Sequence, residues 1–176
     1  MMKNLAFVLL LFVFACKPQT DFKPKEINWD RDICELCLMG LADQEYSVQL
    51  TNNEGKTIWF DDIGCYVNYK GSDDWKKFIR DGEFKSWIGD CQTGEWIETE
   101  TANYRFGDDT PMGYGFGALA SANDSTFDYN TVVQRIKDGK TSRDKFMKSK
   151  KMGKMKCGEG KCGAGKCGGM KKGEKK

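Results

Sequence analysis

The sequence predicts an α+β domain, and three observations carry that expectation. Short runs alternate apolar and polar residues, the period of a half-buried strand. Helical apolar faces with capping residues fall between them. The two kinds of element follow one another without the regular βαβ rhythm of a parallel sheet. The first alternating pair is "YSVQLTNNEGKTIWF" from Tyr46, in which Asn-Asn-Glu-Gly separates the two stretches as the loop of a β-hairpin. In "FDDIGCYVNY", Asp61 or Asp62 can cap a helix whose apolar face is Ile63, Tyr66 and Val67. "SDDWKKFIRDG" predicts a second short helix, capped by Ser72 or Asp73 and ending before Gly82. "FKSWIGD", "GEWIET" and "NYRF" read as short strands separated by turn residues. The glycine-rich "TPMGYGFGALAS" follows, and "SANDSTFDYNTVVQRIKDG" closes the domain with a helix for which Asn130 is the expected cap and Gly139 the stop.

A chain of 176 residues holds one domain of ordinary size plus something extra at an end, and 39% hydrophobic residues with 11 Phe, 5 Trp and 6 Tyr supply a real core. The net charge of +2 hides a division. Residues 17–139 carry 13 basic and 23 acidic side chains, a net of −10, whereas residues 140–176 carry 14 basic and 3 acidic, a net of +11. An acidic globule is therefore followed by a basic tail. There is no histidine, which excludes hydrolase or proton-transfer chemistry built on imidazole. Neither a phosphate-binding loop nor a dinucleotide fingerprint is present; "GYGFGA" at 113–118 lacks the spacing and the strand-to-helix context.

The N-terminus, "MMKNLAFVLLLFVFAC", places a lysine before an apolar run too short to span a bilayer as a mature helix. It resembles a bacterial lipoprotein signal over residues 1–15, with Cys16 as the lipidated first residue of the mature protein. An ordinary secretory signal with Cys16 free is the alternative. Residues 16–30, polar and holding two of the three prolines, read as a lipidated tether. An exported chain meets an oxidising compartment that invites disulfides. Setting Cys16 aside leaves seven of the eight cysteines, an odd number, so at least one thiol is free, metal-bound or paired with another chain.

Sulfur is concentrated at two places in the domain of residues 31–139. "CELCLM" gathers Cys34, Cys37 and Met39, and Met112 sits between Pro111 and Gly113 in a loop sequence, where a core-filling role explains it poorly. Soft thiolate and thioether donors select Cu(I), so cysteine plus methionine without histidine or carboxylate describes a cuprous site. Three other readings of Cys34-x-x-Cys37 compete. A thioredoxin-like redox pair needs a strand before it, which Asp32 lacks; a structural disulfide would bind copper only when reduced; and a zinc knuckle needs a second close pair, whereas Cys65 and Cys91 stand far apart.

"CELCLMG", "IWFDDIGCYVNY", "WIGDCQTGEWIETETANYRF" and "TPMGYGFGALAS", in this order between Ile33 and Gly139, together resemble the NosL family, lipoproteins that act as copper chaperones in the maturation of nitrous oxide reductase. The family's CxxCxM pattern falls on Cys34, Cys37 and Met39, and its PMGxG methionine on Met112. The resemblance implies Cu(I) held by a cysteine and that methionine, in an α+β fold similar to the alkylmercury lyase domain, with nitrous oxide reductase or its maturation machinery as partner. It implies a carrier and no enzyme. A histidine has been thought to contribute in some members; its absence leaves the third ligand open between Met39, the second cysteine, Cys65 and a partner protein.

The tail, residues 140–176, departs from that pattern. Cys157, Cys162 and Cys167 recur every five residues in a Lys-Cys-Gly unit, with Met152, Met155 and Met170 nearby. Its composition predicts disorder in isolation and a capacity to gather Cu(I). "EGKCG" resembles the repeat of secreted copper-sequestering peptides of the bufferin type, in which the cysteine can be modified. Nucleic acid is not an expected partner, because interleaved aromatics are missing. The expectation for the whole chain is a periplasm-facing lipoprotein of the cell envelope, membrane-bound through its anchor. Lys17, standing where an aspartate would favour inner-membrane retention in some bacteria, leans it to the outer membrane. An envelope copper buffer without a dedicated client and a thiol–disulfide oxidoreductase are the alternative functions.

Overall fold

The computed structural model describes residues 20–154. Residues 1–15, read as a signal, Cys16 and the thiols of Cys157, Cys162 and Cys167 lie outside the described residues. Within them the fold is mixed α+β. Strands β1 (Val48–Asn52), β2 (Thr57–Phe60), β3 (Phe84–Gly89) and β4 (Trp96–Glu98) form an antiparallel sheet in the order β2-β1-β3-β4, and β5 (Asn103–Phe106) pairs antiparallel with β6 (Phe116–Leu119). Helices α1 (Ile63–Tyr69) and α2 (Asp73–Ile79) follow β2, and α3 (Tyr129–Lys137) and α4 (Ser142–Lys154) end the described chain. None of these helices is long and apolar enough to cross a membrane.

The predicted hairpin forms, with Val48 opposite Phe60 and Thr51 opposite Thr57. Alternation puts Val48, Leu50, Ile58 and Phe60 on one face, where they join Tyr66, Tyr69 and Trp75 from α1 and α2 in the core. Gln49, Trp59 and Trp87 occupy the other face, level with one another across β2, β1 and β3. That face is covered by part of the segment read as a tether. The Gln49 amide accepts from the Lys25 backbone N–H at 2.8 Å and donates to the Lys25 carbonyl at 3.1 Å, and the Trp87 indole donates to the Phe22 carbonyl at 2.7 Å. A buried amide is tolerated because both of its functions are used.

Asp62 caps α1 and Ser72 caps α2, each through a hydrogen bond from a backbone N–H in the first turn. Ser72→Ala is expected to cost about 1 kcal/mol, as loss of an N-cap acceptor generally does, measured as a shift of the urea midpoint without a change in slope.

Three expectations are corrected. Asp128, not Asn130, caps α3, because its carboxylate reaches the Thr131 N–H at 2.9 Å from an extended backbone position. The glycine-rich segment contains a strand, β6, buried throughout; glycine and alanine there allow close approach, and a Cβ at Gly117 would lie 2.8 Å from the Cys91 sulfur. Disorder from residue 140 does not hold over 142–154. Thr141 and Asp144 bond to one another at the start of α4, and the Ser142 and Arg143 N–H groups donate to the carbonyls of Tyr114 and Gly113, so tertiary contacts stabilise a segment whose composition alone disfavours packing.

Candidate metal centre

Cys34 and Cys37 sit in a tight loop docked on β2, an edge strand of the sheet. The Glu35 N–H donates to the Trp59 carbonyl at 2.8 Å and the Cys34 N–H to the Met39 carbonyl at 2.9 Å. Leu38 takes a left-handed conformation (φ 61°) to turn the chain, and its N–H bonds to the Cys34 carbonyl. The turn aims the Cys37 N–H at the Cys34 sulfur, 3.5 Å away. Cys65 comes from the first turn of α1, immediately beyond the cap that Asp62 provides.

These two segments bring the sulfurs of Cys34, Cys37 and Cys65 within 4.8 Å of one another, and the group could hold a metal ion. All three thiols are free. A metal with bonds of about 2.3 Å needs thiolates roughly 4 Å apart in a trigonal plane, so this cluster is close to its bound spacing. Cys34 is fully buried and Cys65 nearly so, whereas Cys37 is partly exposed and forms the outer edge.

The electrostatics separate the three thiols. The Cys65 thiol donates to Cys34, and the backbone N–H groups of Cys37 and Asp61 add to it, holding Cys34 down to about 5 against the desolvation of its burial. Cys65 is raised in turn, first by donating that hydrogen bond and then by burial. Burial also raises Cys37. These hydrogen bonds thus favour the thiolate at Cys34 and the thiol at its two neighbours. Folding favours the Cys34 thiolate, so its contribution to stability is fully present above the ordinary thiol value of 9.0 and is lost as pH falls through about 5. Ultraviolet thiolate absorbance is expected to show one thiol titrating near pH 5, and Cys34→Ser to abolish that step.

Two carboxylates frame the cluster. Asp61 is buried beside Cys34, with one oxygen accepting from the Ala42 N–H at 2.8 Å and the other without a partner among the described residues; burial raises its carboxyl above the usual range. Asp62, also buried, accepts from the Gly64 N–H, from the Thr110 hydroxyl at 2.6 Å and from the backbone N–H groups of Met112 and Tyr114, although desolvation still pushes it up to about 6. The loop from Thr110 to Gly115 wraps around this one carboxylate. Gly113 (φ 71°) and Gly115 (φ 83°) permit the backbone to fold round it, and the Tyr114 ring lies flat enough on α1 that a Cβ at Gly64 would be 2.1 Å from it.

Sequence reasoning and structure meet unevenly here. Cys34 and Cys37 are brought together as expected, and Cys65, one of several candidates for a third ligand, completes the group. Met39 gives its backbone to the loop while its side chain stands 52% exposed on the rim. Met112 is half-buried in the loop that Asp62 organises, beside the helix that carries Cys65. Asp61 and Asp62 were legible only as alternative caps. Their adjacency to Cys65 in "FDDIGC" was the available signal. Cys91 lies apart from the cluster by sequence and fold, its buried thiol raised to about 11 by desolvation beside β6. No protein-family model and no curated protein matches the chain.

Proposed function

We propose that the protein is an extracytoplasmic Cu(I) metallochaperone, anchored through Cys16, that delivers copper to a maturing cuproenzyme, with the resemblance of its motifs to the NosL family pointing to nitrous oxide reductase as client. The observation that carries this reading is the three-thiol cluster of Cys34, Cys37 and Cys65. Three soft donors within one small volume, with no imidazole, suit Cu(I), which accepts two or three thiolates; zinc asks for a fourth ligand. Copper is cargo here and the chain performs no catalysis. Cys34 needs no deprotonation to bind it. Cys37 and Cys65 must each release a proton, so affinity rises with pH. Cys37, at the outer edge, is the ligand that an incoming donor or recipient meets first, and Met112, whose backbone N–H bonds to Asp62, is a candidate thioether.

The depressed thiol of Cys34 also favours the oxidoreductase reading, because acidic thiols attack disulfides. Accessibility argues against it. The sulfur whose thiolate is favoured is the fully buried one, while burial raises the partly exposed Cys37 thiol.

An anaerobic Cu(I) competition titration of the reduced, full mature chain carrying Cys157→Ser, Cys162→Ser and Cys167→Ser tests the reading. One tight equivalent is expected, weakened about tenfold or more by Met112→Leu, on the scale of losing one supporting contact of a metal site. Absence of tight binding, with disulfide reductase activity against a model disulfide, would replace the chaperone by the redox reading.

A further inference from the structure

The structure places the start of the C-terminal extension against the loop that packs on the helix carrying Cys65. α4 begins with its first two N–H groups on the carbonyls of Tyr114 and Gly113, in the loop that bonds to Asp62 and whose Tyr114 ring rests on Gly64, the residue before Cys65. α4 is 13 residues long, about 20 Å. Twenty-two residues follow Lys154, and Cys162 and Cys167 stand eight and thirteen residues beyond it. At roughly 3.3 Å per residue these reach about 26 Å and about 43 Å. Even with α4 directed straight away from the cluster, Cys167 can return to it.

Charge favours that return. Residues 155–176 carry seven lysines and two glutamates. Exposed Glu35 stands between Cys34 and Cys37, and Asp43 and Asp109 line one groove with Tyr46 and Pro111. Ala42, in the same groove, is bonded to Asp61 next to Cys34. On the outer side the rim residues Leu36, Leu38 and Met39 are 41%, 72% and 52% exposed, leaving the approach to Cys37 open among the described residues.

We propose that the C-terminal segment of this chain docks on the acidic rim of the thiol cluster and exchanges Cu(I) with it directly, Cys167 and Cys162 acting as the tail's donor ligands and Cys37 as the entry ligand of the body. This rests on the cluster's being a Cu(I) site. The step is ligand substitution at a metal that stays Cu(I) throughout. A bond from copper to Cys37 forms as a bond to a tail thiolate breaks; the Cys37 thiol gives up its proton and the released tail thiolate takes one up. Tethering holds the tail thiols at an effective concentration near millimolar, far above that of a separate micromolar donor.

The experiment uses the full mature chain, reduced and anaerobic, mixed rapidly with less than one equivalent of Cu(I) supplied as a weak complex. Arrival at the cluster is followed through tryptophan fluorescence, since the backbone of Trp59 pairs with that of Cys34. The expected result is a transfer phase whose rate does not change with protein concentration. Cys167→Ser should slow it most, Cys162→Ser less. Raising the ionic strength from about 0.01 M to about 0.15 M, which shortens screening from about 30 Å to about 8 Å, should slow it several-fold. A phase that scales with protein concentration, or one unchanged when all three tail cysteines are serine, overturns the proposal. The triple-serine chain also keeps the two readings apart: one tight equivalent there sustains the body site whatever the tail does, and none removes it.

Discussion

Cys34→Ser is expected to abolish tight Cu(I) binding, lowering affinity by more than about 100-fold, beyond the range seen when only a supporting hydrogen bond of a metal site is lost. Cys34 is the hub of the cluster. It alone receives the Cys65 thiol, the Cys37 N–H and the Asp61 N–H, and these three donors favour its thiolate. Serine retains the size and the hydrogen-bond capacity but removes the soft anionic donor, and its hydroxyl does not ionise near pH 7. The replacement should therefore leave the far-ultraviolet circular dichroism of the domain intact while the competition titration loses its tight phase. Cys37→Ser, removing the outer ligand, is expected to weaken binding less and to slow copper entry more. Equal affinity of wild type and Cys34→Ser would show that the cluster is not where copper binds.

Gly89→Ala should produce the largest loss of stability among small substitutions in the fold. Gly89 ends β3, pairs with Trp96 of β4 and donates its N–H to the Ser47 carbonyl at 3.1 Å. A Cβ there would lie 1.9 Å from the carbonyl oxygen of Gln44. The obstacle is backbone, so no side-chain rotation relieves it and the turn of residues 43–47 must move away from the sheet. Overpacking of a well-filled site costs about 1–3 kcal/mol, and this case belongs at or above the upper end. The displaced turn adjoins Ala42, whose N–H holds Asp61 beside Cys34, so copper affinity should fall together with the thermal midpoint. Chemical denaturation and the Cu(I) titration on the same sample check both. A midpoint within a degree of wild type would mean that the turn relaxes freely and carries no strain to the site.

The two predictions act through different levels of organisation, and the same division runs through what was legible in the sequence. Local signals were reliable where the chain solves its own problem. The Asn-Asn-Glu-Gly loop sets a hairpin whose alternation leaves one register that buries Val48, Leu50 and Phe60 together. Ser72 reaches a first-turn N–H from its own backbone, and "CELCLM" can turn only by closing on itself. Signals failed where the deciding partner is remote. Asn130 and Asp128 are equivalent as local caps. β6 has no alternating pattern to betray it, being buried on both faces by glycine and alanine. Residues 142–154 carry a charge that disfavours packing until the loop at Gly113 and Tyr114 supplies acceptors for the first turn.

The candidate site shows the division most plainly. The sequence by itself determined the donor chemistry. With no histidine and with sulfur gathered at Cys34, Cys37, Met39 and Met112, the sequence offers soft donors, because donor softness is a property of residue type. Only the tertiary structure decided that Cys65 joins the pair. Thirty-one residues separate it from Cys34, and the meeting requires β1 and β2 to pair, the Cys34 loop to dock on the β2 edge, and Asp62 to start α1 at the point where β2 ends. Spacing along a chain says which thiols can meet only when the intervening chain is short; beyond that, the sheet's hydrogen bonds and the burial of its aromatic face select the partners.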